Sequence, residues 1–88
     1  MAAYNIFIKK SAVSELEGLA EKDLAKVLQK IEALAENPRP PGAEKLAGVD
    51  LWRIRQGNCR IVYSIEDDVL TVWIVKVGLR REVYRKLR

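Results

Sequence analysis

Apolar positions along the chain change period twice. Tyr4, Ile6 and Ile8 alternate with other residues, with Phe7 on the opposite side, and predict a strand over Ala3–Lys9. Ser11 is a candidate N-cap for a short helix carrying Val13, Leu16, Leu19 and Ala20, weakened by Gly18. Leu24, Val27, Leu28, Ile31, Leu34 and Ala35 then follow the i, i+3, i+4, i+7 spacing of an amphipathic helix, leaving Lys22, Lys26, Lys30 and Glu32 to solvent. Asn37-Pro38 stops that helix, because the residue before a proline is disfavoured in the α region. Pro38, Pro40, Pro41 and Gly42 make a stiff loop.

Beyond the loop the period becomes two. Leu51–Arg55, Cys59–Ile65 and Val69–Val77 read as three strands joined by short connections, hence as antiparallel neighbours. Gly78-Leu79 is expected to break the last strand, and Arg81 to Leu87 to form a short basic helix with Val83 and Leu87 facing inward. The predicted order is βααβββα. It is an α+β fold with two N-terminal helices packed on an antiparallel sheet and a short C-terminal basic helix. With 88 residues the chain is read as one domain, residues 1–88.

Two turns set a register that can be written down. If Gly57-Asn58 is a two-residue hairpin turn, Ile54 faces Ile61 and Trp52 faces Tyr63 on the helix-covered side. The same register sets Arg55 opposite Arg60 on the other side, with Arg53 two residues along. If Asp67-Asp68 is the next turn, Ile61 meets Ile74, Tyr63 meets Val72 and Ile65 meets Leu70, again on the apolar side.

Composition narrows the chemistry. There is no histidine, which removes the commonest acid/base group near neutral pH and the commonest imidazole metal ligand. The single cysteine, Cys59, excludes an internal disulfide and has no histidine to activate it. Glu66, Asp67 and Asp68 read as a solvated turn, and no metal site is expected. Apolar runs are far too short to span a bilayer, and no apolar signal segment follows Lys9 and Lys10, so a cytoplasmic location without membrane attachment is expected.

The net charge of +4 is unevenly placed. Residues 1–50 hold seven Lys/Arg against eight Asp/Glu, and residues 51–88 hold nine against four, seven of the nine being Arg. Like charges directly opposite on a sheet repel. Arg53, Arg55 and Arg60 would form one patch with no acidic residue in their own two strands. Either an Asp or Glu from elsewhere relieves them, or an anion does; phosphate would turn the repulsion into shared attraction, which favours the second. Arg80, Arg81, Arg85, Lys86 and Arg88 extend the field. Tyr84 shares a helix face with Arg80 if the helix starts there. Trp73 falls on the arginine side, where packing is the plainer role and stacking with a base the sharper one.

The segments KLAGVDLWRIR, NCRIVYSI and VGLRREVY resemble, in order and spacing, the signature segments of the RelE/ParE toxin superfamily, and more closely its RelE branch. The resemblance runs from the first strand to the final tyrosine. It implies a small toxin held inactive by a co-expressed protein antitoxin. For a RelE-type member it further implies cleavage of mRNA in the ribosomal A site, with the ribosome and mRNA as partners and no metal or other cofactor. Position by position, it carries the strand-two basic pair onto Arg53 and Arg55, the strand-three arginine onto Arg60, the post-glycine arginine onto Arg80 and the C-terminal tyrosine onto Tyr84. The catalytic set is then Arg55, Arg60, Arg80 and Tyr84, with Arg53, Arg81 and Arg85 binding RNA. The chain departs from relatives in having two arginines where the best-known member has lysines, Cys59 at an often aromatic position, and Leu79 where histidine or lysine is common. Arginine binds phosphate but does not give up a proton near pH 7, so Tyr84 is the expected base. Two other readings stay open at this point: a ParE-like toxin that inhibits DNA gyrase by binding it, and a catalytically inactive module that binds RNA or antitoxin.

Overall fold

In the computed structural model, which describes residues 3–79, two helices pack on one face of a five-stranded sheet. The elements are β1 (Asn5–Ile8), α1 (Lys10–Glu17), α2 (Glu21–Ala33), β2 (Glu44–Lys45), β3 (Trp52–Gln56), β4 (Cys59–Glu66) and β5 (Thr71–Leu79). This is the expected α+β architecture. The sheet order is β1-β5-β4-β3-β2.

The sheet is mixed, not wholly antiparallel. β1 lies parallel to β5, pairing Ile6 with Val72 and Ile8 with Ile74. Parallel neighbours need a crossover connection, and the chain from β1 to β5 includes both helices. A two-residue strand, β2, is added at the opposite edge, with Glu44 facing Arg53 and Lys45 facing Trp52. It is too short to leave a periodic signal.

Tyr63, Leu34, Ile61, Ile74, Val27, Val72 and Val77 are fully buried, with Ile31 and Ile54 nearly so. They fill the layer between helices and sheet. α2 presents Val27 and Ile31 as expected, but Leu28 is 36% exposed at the margin of the stripe. α1 buries Ala12 and Leu16, one turn apart, and leaves Val13 exposed. Its N-cap is Lys9 and not Ser11, with no side-chain cap; Val13 donates to the Lys9 carbonyl at 2.9 Å. The chain leaves β1 directly into the helix, so Ser11 already lies inside the first turn.

β3 and β4 pair in the predicted register throughout, Trp52 with Tyr63, Ile54 with Ile61 and Arg55 with Arg60. Gly57 has φ +60, which a tight two-residue connection requires at its first position. β4 and β5 do not pair as predicted: Tyr63 faces Ile74, Ile65 faces Val72 and Ile61 faces Val77. The connection is a longer 3-10 turn, Asp67–Val69, closed by Leu70 in the left-handed region at φ 46. That displaces the partners by two residues, which preserves the face. A bulge between Val62 and Tyr63 leaves Val75 as the extra residue. It lets both Ile74 and Val77 point into the core. β5 also continues through Gly78 to Leu79, so Gly78-Leu79 does not break it. The expected helix over Arg81 to Leu87 lies outside the described residues.

A loop of Pro38 to Gly42 closes one end of the core. The Tyr63 hydroxyl donates to the Pro38 carbonyl at 2.7 Å, and burial pushes this phenol up to about 12. Arg39 lies 5.2 Å over the Trp52 ring and grips Asp67 with two nitrogens, at 2.8 and 3.2 Å. The Tyr4 hydroxyl donates to the same carboxylate at 2.6 Å. The Arg39 hydrogen bonds, then that of Tyr4, hold the Asp67 carboxyl down at about 2. Asp67 therefore does more than solvate its turn: it ties β1, the proline loop and the β4–β5 connection together.

Candidate RNA-binding face

The sheet face turned away from the helices carries the predicted arginines. Strand alternation sends Arg53 and Arg55 from β3 and Arg60 from β4 to this side, because Ile54 and Ile61 between them point into the core. Arg55 is exposed and lies directly across the hairpin from Arg60, as the sequence predicts.

The surroundings of the three arginines differ from the expected uniform patch. The Arg53 guanidinium pairs with Glu44, the residue opposite it on β2. Opposite charges facing across strands attract, so Arg53 is relieved by an acidic residue from elsewhere and not left to an anion alone. Sequence reasoning missed Glu44 because β2 was not predicted. The signal was the β3 pattern itself: extending the hairpin back around Gly48, at φ +78, sets Glu44 against Arg53. Arg60 is only 4% exposed, so a phosphate arriving on this face reaches it only after neighbouring side chains move. A depression of about 350 Å³ opens beside Arg55, bordered by Lys30, Pro41 and Glu44.

Arg80, Arg81, Tyr84 and Arg85 lie outside the described residues. Gly78 is the direct partner of Arg60, so the last described residues of β5 lie next to the Arg55–Arg60 pair. Cys59 is buried, and desolvation raises its thiol pKa, which fits a packing role. Trp73 lies on the arginine face, where its ring stacks on Phe7 with centroids 5.0 Å apart. Among the described residues no helix is long and apolar enough to cross a membrane.

The fold and its sequence have known counterparts. Residues 6–84 match the family described as the ParE toxin of type II toxin–antitoxin systems. A protein named RelE1 from Methanocaldococcus jannaschii is 30% identical over 86 residues, covering 93% of this chain and 96% of that one. The toxin–antitoxin complex RelBE2 of Mycobacterium tuberculosis contains a chain superposing with TM-score 0.82 at 26% identity, over 91% of this chain and 94% of the other. The archaeal RelE–RelB complex of Pyrococcus horikoshii gives 0.80 at 28% identity, over 89% and 96%. The isolated RelE toxin of E. coli gives 0.77 at 28% identity, over 97% and 95%. The match over nearly the whole length makes this chain a RelE-type member of the RelE/ParE superfamily of type II toxins.

Proposed function

We propose that this toxin is an endoribonuclease that cuts mRNA in the ribosomal A site, without a cofactor, and that it acts in the cytoplasm. The observation that carries the reading is the Arg55–Arg60 pair, set opposite each other on the sheet face free of the two helices. Keeping two arginines at directly opposed strand positions makes chemical sense where a phosphate is to be bound.

The reaction is an internal transesterification. The ribose 2′-oxygen attacks the adjacent phosphorus, the bond from phosphorus to the 5′-oxygen breaks, and a 2′,3′-cyclic phosphate and a 5′-hydroxyl result. The 2′-OH proton goes to the Tyr84 phenolate, whose formation nearby guanidiniums favour. Arg55 and Arg60 stabilise the extra negative charge at phosphorus. Arg80 neutralises the leaving oxygen, which takes its proton from water. Arg53, held by Glu44, positions the RNA backbone together with Arg81 and Arg85. The ribosome supplies much of the rate by fixing the mRNA in an attack-ready shape.

The partner that restrains it is a cognate protein antitoxin, as in the RelBE complexes of similar fold. An acidic antitoxin segment on the basic face would make association slow as salt rises.

Primer extension on translated mRNA after induction of the toxin should reveal cuts at A-site positions. Arg55→Ala, on an exposed side chain, should abolish them while leaving the circular dichroism spectrum unchanged. Intact transcripts in arrested cells, with induction of a DNA-damage response, would instead indicate a gyrase poison.

A further inference from the structure

We propose that Phe7 and Trp73 form a base-stacking platform that holds single-stranded RNA on the arginine face, away from the Arg55–Arg60 pair.

Phe7 is 46% exposed on β1, the edge strand next to β5. Its ring lies against Trp73, its direct partner in the parallel ladder, with centroids 5.0 Å apart and planes inclined by 28°. An aromatic side chain left half in water on a sheet edge is an aggregation hazard that polar residues usually replace. Core packing does not explain it, because Ile6 and Ile8 are the residues of β1 that face the core.

The surroundings specify nucleic acid over an apolar protein surface. On this side of β1 the sequence of side chains is Asn5, Phe7, Lys9: polar, aromatic, basic. Beside the ring pair lies an open depression of about 460 Å³, lined by Lys9, Leu51, Ser64, Trp73 and Val75. It has room for a base and its sugar, with a hydroxyl and an ammonium group at its rim. Stacked rings with interleaved cations are what sequence-tolerant binding of single strands uses. Of the acidic groups of this face, Glu44 is engaged with Arg53, while Glu66, the next same-face residue of β4 after Ser64, borders the platform on the side away from Arg55, so the strand would run from the rings towards the arginines.

The placement suits one RNA strand. Trp73 is opposite Ser64, and Arg55 is opposite Arg60. Four residues of β4 separate these positions, about 13 Å at the usual strand rise. A short single-stranded segment spans that distance, so a base stacked on Phe7–Trp73 would flank the phosphate held by the arginines. The platform is thus a positioning element, and its part in cleavage rests on the endoribonuclease reading above.

The test uses the full chain and two readouts. Single-turnover cleavage on ribosomes programmed with mRNA gives a half-saturating toxin concentration and a maximal rate. Quenching of a 2-aminopurine base in a short single-stranded oligoribonucleotide reports stacking directly. Phe7→Leu keeps an apolar side chain and removes the ring. It should raise the half-saturating concentration about fivefold or more, the low end for one stacked base. It should leave the maximal rate unchanged and shift the quenching titration to higher concentration by a similar factor. Phe7→Tyr should restore both. If the parent fails to cut ribosome-bound mRNA yet still quenches 2-aminopurine in a Phe7-dependent way, the platform stands and the endoribonuclease reading falls. If Phe7→Leu binds and cuts like the parent, the platform is wrong. It is equally wrong if the variant loses only antitoxin affinity, since the rings would then serve a protein partner.

Discussion

Glu15 and Lys76 form an ion pair across the free edge of β5, at 18% and 14% side-chain exposure. The same carboxylate accepts the Val77 amide proton at 3.0 Å. β1 stops at Ile8, opposite Ile74, so β5 runs on past its edge partner. α1 starts two residues later and lays Glu15 where the next strand residue would have been. A buried N–H without a partner is costly, and an exposed edge invites pairing with other chains. One helical carboxylate answers both problems and fixes α1 to the sheet.

Glu15→Ala should therefore destabilise by about 2–4 kcal/mol, since it leaves an amide unsatisfied and a nearly buried ammonium uncompensated. Glu15→Gln keeps an acceptor for Val77 and should cost less. Adding Lys76→Met to Glu15→Gln should recover part of that loss. Urea midpoints at constant m-value measure all three. A Glu15→Ala protein within about 0.5 kcal/mol of the parent, the range of an ordinary surface change, would mean that water serves the β5 edge equally well.

Leu70 closes the β4–β5 turn at φ 46, where a Cβ is strained by roughly 1–2 kcal/mol. Its carbonyl accepts the Asn5 amide at 2.8 Å, so the strained residue also anchors β1. Leu70→Val, branched at Cβ, should lower stability by about 1 kcal/mol or more. Leu70→Gly should match or exceed the parent, the relief of strain offsetting the added freedom of the unfolded chain. Thermal unfolding in the reverse order would contradict the turn geometry.

What the sequence made legible follows from how local each feature is. The β3–β4 hairpin depends on Gly57-Asn58 and on alternation, both visible in a short window, and its register holds from Trp52 to Cys59. The β4–β5 register depends on a left-handed leucine and on a bulge, neither of which has a residue signature here. Alternation nevertheless placed Tyr63, Ile65 and Val72 on the correct face, because the turn displaces partners by an even number. The parallel docking of β1 is set by tertiary packing and not by its own four residues. The arginine face was legible for the same reason as the hairpin. Its charge balance was not, since Glu44 reaches Arg53 from a strand of two residues.

Alkaline pH should unfold this protein through Tyr63. Burial raises its phenol to about 12, while the unfolded chain titrates near the ordinary 10. A folded-state pKa above the unfolded value gives stability that is complete below pH 10. It is lost as pH rises from 10 towards 12, by up to about 3 kcal/mol. Tyr63→Phe should lack this component and cost about 1–3 kcal/mol at neutral pH, because the buried Pro38 carbonyl loses its donor. Urea unfolding at pH 8 and pH 11 separates the two effects. Parallel losses in parent and variant would assign the alkaline instability to other groups.

Tyr84 decides the proton chemistry of the proposed cleavage. With arginine at positions 53 and 55, no amine there can take the 2′-OH proton, and the chain has no histidine. Tyr84→Phe keeps the ring and removes only the hydroxyl. Stability and ribosome affinity should be nearly unchanged, while single-turnover cleavage on pre-formed ribosome complexes should fall on the order of 100-fold, the size of a lost general base. The parent's rate should climb with pH until the phenolate is fully formed, and the variant's should not follow it. Arg53→Lys in the variant should restore cleavage only if a lysine there can serve as base. If Tyr84→Phe cuts at near-parental rate with the same pH profile, the tyrosine is packing. The arginine charge and the ribosome's positioning of the 2′-oxygen then have to supply the whole acceleration.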